Sequence, residues 1–135
     1  MKKVFWVLGL LVFTSLVVFA DEYVISTGTY TRSDGVTRYG FSGKGIYRDD
    51  PSAVNRKDEG PLPHGTYTMR NIGTTNLGPV TIELTPSGNN VMYGRRGFYI
   101  HGGTKSDGCI IINDPDFRRS LDGRTFVQYH QFQNI

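Results

Sequence analysis

The chain has a single cysteine, Cys109, in 135 residues. One thiol excludes an internal disulfide framework, and it excludes zinc sites built from several thiolates. His64, His101 and Cys109 are of metal-ligand type, but their spacing fits no known ligand pattern, so no metal or other cofactor is expected. Dense Lys/Arg runs are missing after residue 20, and with them any nucleic-acid-binding pattern. There is no internal repeat and no low-complexity tract.

Long apolar sequence is confined to the N-terminus. Met1-Lys2-Lys3 is basic, residues 4–19 are apolar apart from Thr14 and Ser15, and Val18-Phe19-Ala20 puts small residues at the two cleavage-recognition positions. This pattern predicts an export signal over residues 1–20, cleaved before Asp21. The alternative is a retained anchor, since the segment is close to the lower limit of about 17 residues for a bilayer span. No basic cluster follows it to stop transfer. Cleavage takes Lys2 and Lys3 away, so the formal net charge of +3 falls to +1. The remaining residues 21–135 can bury one core but not two. The expectation is one periplasmic or secreted domain that meets the membrane only through its signal segment. A lone thiol in an oxidising compartment is either buried and inert or has a task.

Glycine numbers 17, tyrosine 8 and phenylalanine 8. Short aromatic and β-branched runs alternate with Gly, Asn, Asp and Pro turns, which predicts a mainly β fold, a small sandwich or barrel with one short helix. Strands are expected over 22–30, 36–42, 66–70, 78–85, 98–100, 110–112 and 125–132, with a further short one over 91–93. Ser33-Asp34-Gly35 reads as a hairpin turn. Residues 43–60 form a connection longer than most loops in compact domains, either a functional loop over a cleft or a partly mobile one. Gly60-Pro61-Leu62-Pro63-His64-Gly65 reads as a rigid turn. Asp114 with Pro115 reads as the cap and first position of the helix, with Arg118 and Arg119 toward its negative end.

The stretch Phe98-Tyr99-Ile100-His101-Gly102-Gly103-Thr104-Lys105-Ser106-Asp107-Gly108-Cys109-Ile110-Ile111-Ile112 organises the chain. Two apolar runs flank a Gly-rich loop that begins with histidine and ends with the cysteine. Adjacent strands would bring the two side chains together. A thiol needs a neighbouring base or positive charge to become a nucleophile. Cys109 is therefore the candidate nucleophile and His101 its base. Gly108, with the Cys109 N–H, is a candidate oxyanion donor, and Ser106 is expected to shape the loop through backbone bonds. A thiol activated at rest would react with iodoacetamide well below pH 8.

His101-Gly102, the short loop and Ser106-Asp107-Gly108-Cys109-Ile110 resemble the active-site motif of L,D-transpeptidases, the YkuD-like cysteine enzymes. Phe41-Ser42-Gly43-Lys44-Gly45 and Gly60-Pro61-Leu62-Pro63-His64-Gly65-Thr66-Tyr67 resemble the branch found among type VI secretion effectors. The sequence departs from the commonest transpeptidase pattern at Asp107, where a histidine is usual, at Ile111, where an arginine is usual, and in its shorter His-to-Cys spacing. The resemblance covers roughly residues 22–121. It implies an L,D-transpeptidase-like domain whose Cys109 and His101 carry out L,D-carboxypeptidase or L,D-transpeptidase chemistry, including D-amino-acid exchange, on peptidoglycan stem peptides. It also implies an immunity protein as partner if the protein is a toxin. A housekeeping wall enzyme, an inert peptidoglycan-binding module and a different cysteine amidase are the alternatives. A papain-like amidase has its cysteine before its histidine, the reverse of the order here.

Arg95 and Arg96 are candidates for gripping a substrate carboxylate, set against a solvated loop. Ser42 and His64 are further substrate-binding candidates, His64 set against an exposed turn residue. Asp107 could orient His101 or lie in solvent. Tyr67 and Tyr99 read as core or rim packing, and His130 as structural.

Overall fold

The computed structural model describes residues 20–129. The expected signal segment up to residue 19, the end of the last expected strand and His130 lie outside the described residues. Among the latter, no helix is long and apolar enough to cross a membrane.

Among the described residues, nine strands form one sheet: β1 (Asp21–Val24), β2 (Thr29–Thr31), β3 (Thr37–Tyr39), β4 (Phe41–Ser42), β5 (Gly65–Thr75), β6 (Gly78–Pro86), β7 (Phe98–His101), β8 (Ile110–Ile111) and β9 (Thr125–Tyr129). Their order is β3-β2-β1-β9-β5-β6-β7-β8-β4. The two edge strands, β3 and β4, are separated in sequence by Gly40 alone. The chain itself therefore joins the two edges, and the sheet is a nearly closed barrel. Gly40 makes this seam possible. A β-carbon there would lie 2.0 Å from the Ile111 carbonyl oxygen. The Gly40 N–H donates to the Gly28 oxygen at 2.7 Å, in the turn after β1, where Gly28 has a φ of +69°. The mainly β fold is as expected, with one short α-helix among the described residues.

Several boundaries differ from the sequence reading. The single strand expected over 22–30 is two strands folded back across residues 25–28, and the one over 36–42 is broken at Gly40. Strands β5 and β6 run on into a long hairpin, past the expected ends. Residues 91–93 form no strand, because Tyr93 takes a φ of +58° in a turn. The connection 43–60 is folded into two short 3-10 turns, Gly45–Tyr47 and Pro51–Ala53, and returns to its start through Lys44 N–H to Glu59 O at 2.8 Å. The hairpin at 33–35 and the helix α1 (Pro115–Arg119) fall where expected, and the Asp114 carboxylate accepts from Phe117 N–H at 3.0 Å.

Aromatic rings fill the barrel. Tyr23, Tyr30, Tyr67 and Phe126 are fully buried, and the Tyr67 and Phe126 rings stack at 5.4 Å. Phe117 of α1 closes over Tyr30 edge-on at 5.6 Å. The first strand is held to the last turn by Asp21, whose carboxylate accepts from Arg124 at 2.8 and 2.9 Å, Tyr30 Oη at 2.8 Å and Ser33 N–H at 2.8 Å. Burial alone would raise the Asp21 pKa, but these donors bring it below the ordinary 3.8. A carboxylate so depressed stabilises the fold above its unfolded pKa, and that contribution is lost as pH falls through the folded value. Asp21→Asn is expected to cost about 1–3 kcal/mol at neutral pH by taking the charged acceptor from Tyr30, Ser33 and Arg124. It should also flatten the decline of stability below about pH 4, read by urea unfolding across pH.

Candidate active site

Strand β7 pairs with β6 on one side and runs parallel to β8 on the other. Parallel neighbours ordinarily need a crossover of a dozen or more residues, usually a helix. Here residues 102–109 make the return without one. Such a loop must be pinned, and side chains from outside and within it pin it. Asn113 accepts from Gly103 N–H at 2.7 Å and donates to Gly103 O at 3.1 Å. Ser106 Oγ accepts from Gly43 N–H at 3.0 Å and Gly108 N–H at 3.1 Å, and donates to Cys109 O at 2.5 Å. One donor and two acceptor sites exhaust a hydroxyl, so Ser106 is entirely a loop fastener. Another is Arg95, which binds Asp107 O at 3.1 Å.

The register brings the histidine and the cysteine onto one face. Ile100 lies beside Ile110 and His101 beside Ile111; one step back, Cys109 lies beside Tyr99. Side chains alternate along a strand. Phe98, Ile100, Ile110 and Ile112 point into the core, which leaves Tyr99, His101 and Cys109 on the outer face. There they line one cleft of about 570 Å³, together with Lys57, Asp58, Leu77, Arg95, Arg96, Phe98, Lys105 and Asp107.

The ring of His101 is oriented by its own loop. Its Nδ1 stands 2.7 Å from the Gly102 carbonyl oxygen. A carbonyl only accepts, so Nδ1 carries the proton and Nε2 keeps its lone pair. Burial lowers the His101 pKa below 6.5, the Gly102 bond opposes this, and the charge of Arg118 adds to it. The imidazole is therefore neutral at pH 7. Burial raises the Cys109 pKa above 9.0; a backbone bond from Tyr99 and the charge of Arg95 oppose this, and Asp107 adds to it. The resting pair is thus a thiol and a neutral imidazole. Burial of the loop thus opposes thiolate formation in the resting site.

Other expected site residues have different surroundings. Gly108 N–H is taken up by Ser106, so it is not available to an oxyanion. Glycine is required at 108 for space: φ is +138°, and a β-carbon would meet Arg95 and Phe98 atoms at 2.6 Å. Ser42 is fully buried; its Oγ donates to Gly108 O at 3.0 Å and accepts from Leu62 N–H at 2.9 Å, which makes it a support of the loop and not a substrate contact. His64 bonds Gln128 Oε1 through Nδ1 at 2.9 Å and is not among the cleft residues. Asp107 does not orient His101; its nearest cation is Lys44 at 3.9 Å. Arg95 is buried, its guanidinium occupied by carbonyls, whereas Arg96 is exposed in the cleft wall. Tyr67 is core and Tyr99 rim. Among the described residues, no group of three or more His, Cys, Asp or Glu side chains is placed to hold a metal ion.

Sequence reasoning missed Lys57, Asp58, Leu77 and Lys105 as cleft residues. The one available signal was the length of the connection 43–60, which carries Lys57 and Asp58 to the cleft. Comparison with curated proteins gives no match, and neither does comparison with solved structures. Among family descriptions, the Tlde1 domain matches residues 37–133, a span that contains the whole cleft. The chain belongs to the Tlde1 domain family, an L,D-transpeptidase-like family of type VI effectors.

Proposed function

We propose that the protein is a cysteine acyl-transfer enzyme that acts on peptidoglycan stem peptides as an antibacterial effector. The observation that carries this reading is the shared cleft of His101 and Cys109, with the imidazole held as the Nδ1–H tautomer so that Nε2 can accept a proton. In the proposed reaction the Cys109 thiol proton passes to Nε2 as sulfur bonds to the carbonyl carbon before a terminal D-alanine. The carbon–nitrogen bond then breaks, and His101 returns the proton to the leaving amine. Water resolves the thioester to a shortened stem peptide, or the amine of a D-amino acid resolves it to an exchanged one. The Cys109 N–H takes the oxyanion role, since Gly108 N–H is occupied. Exposed Arg96, with Lys57 and Lys105 on the same cleft, supplies positive charge for the carboxylates of a stem peptide. Export through residues 1–20, action in the periplasm and neutralisation by an immunity protein belong to the same proposal.

The reading is tested with tetrapeptide muropeptides and the purified protein. Loss of the terminal D-alanine, or its exchange for an added D-amino acid, is expected by mass spectrometry; unchanged muropeptides contradict the substrate. The pH profile is a second expectation. Chemistry needs His101 neutral, and its pKa is depressed, so kcat/KM should hold level through neutral pH and fall only below 6.5. An acid limb above pH 7 contradicts His101 as the base.

A further inference from the structure

Arg95 is a buried cation, 7% exposed, whose guanidinium meets only neutral acceptors. It donates to Val54 O at 2.6 Å, Pro61 O at 2.7 Å, Gly60 O at 2.8 Å and Asp107 O at 3.1 Å, and its central carbon lies 5.1 Å from the Phe98 ring centroid. Among the described residues, no carboxylate forms an ion pair with it. A buried charge is costly to keep unless it is paired. Four carbonyls satisfy its hydrogen bonds; Asp58 acts on its charge only from a distance, without a contact, and so does Cys109. The same group packs so tightly on the turn before the cysteine that a β-carbon on Gly108 would stand 2.6 Å from its Nη2. It also lines the cleft that holds Cys109.

We propose that Arg95 is a positioning residue for the thiol: it fastens the 54–61 segment to the Asp107–Gly108 peptide and supplies the fixed positive charge against which the Cys109 thiolate forms. This rests on the reading of Cys109 as nucleophile. Arg95 gives up no proton; the thiol proton goes to His101 Nε2, and the negative charge left on sulfur finds a cation already in place. Other charges facing Cys109 are Asp107 from its own loop, His101 from β7, Arg96 from the turn before β7, Lys57 and Asp58 from the 43–60 connection, and Lys105. Burial opposes thiolate formation most and a backbone bond from Tyr99 favours it; among the charges, Asp107 opposes it and Arg95 favours it, Asp107 the more strongly.

The test is the pH dependence of Cys109 alkylation by iodoacetamide in the full chain, where sulfur displaces iodide and the product is a thioether. Cys109 is the single cysteine, so incorporation reports one site. Arg95→Lys and Arg95→Gln each keep a donor for the carbonyls, and only the first keeps the charge. Arg95→Gln is expected to move the alkylation midpoint up by about one pH unit, about tenfold slower labelling at pH 7, while Arg95→Lys stays with the wild type. Coincident wild-type and Gln midpoints overturn the proposal, as does a Lys midpoint that rises with that of Gln. Asp107→Asn, at an exposed position, decides independently of whether the Arg95 variants fold. Its midpoint should fall, and an unmoved midpoint means that loop charge does not reach the sulfur and overturns the proposal. Alkylation involves no peptidoglycan, so shifts as expected with inert muropeptides would sink the substrate reading and leave the role of Arg95 standing.

Discussion

Cys109→Ala is expected to reduce muropeptide turnover to background, and His101→Gln to reduce kcat by about 10²–10⁴-fold, the usual contribution of a positioned general base. Both variants should stay folded. Cys109 is only part-buried at the end of the loop, and its side chain is not part of the barrel core. The ring of His101 is tied to the adjacent Gly102 carbonyl and not to a distant strand, so its loss unties nothing beyond its own loop. Each substitution should therefore change stability by less than about 1 kcal/mol. The two losses should not add, because a nucleophile without its base and a base without its nucleophile fail at the same step. Circular dichroism melts beside turnover rates check this. A Cys109→Ala variant with wild-type turnover would move the chemistry elsewhere in the cleft.

Gly40→Ala is expected to have the largest effect on stability. A single methyl group at this position would overlap the Ile111 carbonyl oxygen, 2.0 Å away, and backbone on both sides of the seam cannot retreat without breaking strand pairing. The next residues, Phe41 and Ser42, pair with Ile111 and Ile110, the residues that follow Cys109. Opening the seam therefore unseats β8 and with it the nucleophile. A loss of at least about 4 kcal/mol is expected, at the diagnostic end of single substitutions. The comparison is Gly35→Ala, which meets no atom within 4 Å but sits at a φ of +92° in an exposed turn. It should cost about 1 kcal/mol from backbone strain alone. Urea unfolding of the two variants separates the seam from ordinary glycine strain; equal costs contradict the seam.

Local signals in the sequence were the ones that could be read. Asp34-Gly35 specifies its own hairpin, Asp114 and Pro115 specify the start of α1, and the two apolar runs around the Gly-rich loop place His101 and Cys109 on neighbouring strands. Each of these depends on residues a few positions apart. The unread features depend on residues far apart in sequence. Arg95 next to Arg96 looks like a pair of surface cations, yet one is buried against carbonyls from residues 54–61 and the other is exposed. Ser42 looks like one more small polar residue in a motif, yet it supports Gly108 across 66 positions. Gly40 lies within an apparently continuous strand, where glycine signals a weak point or a bend and not the closing of a barrel. The protonation states were equally hidden, since burial of the loop raises the thiol and lowers the imidazole.

The central claim is that Cys109 carries the acyl group of a stem peptide. The most direct measurement is intact-protein mass spectrometry of the wild-type chain, quenched in acid within seconds of mixing with tetrapeptide muropeptide and then digested to locate any adduct. The account predicts a transient thioester on the Cys109 peptide, with the mass of the muropeptide acyl group lacking its terminal D-alanine and absent from Cys109→Ala. Muropeptides processed at the wild-type rate by Cys109→Ala, or turnover with the acyl group on another residue, would contradict it.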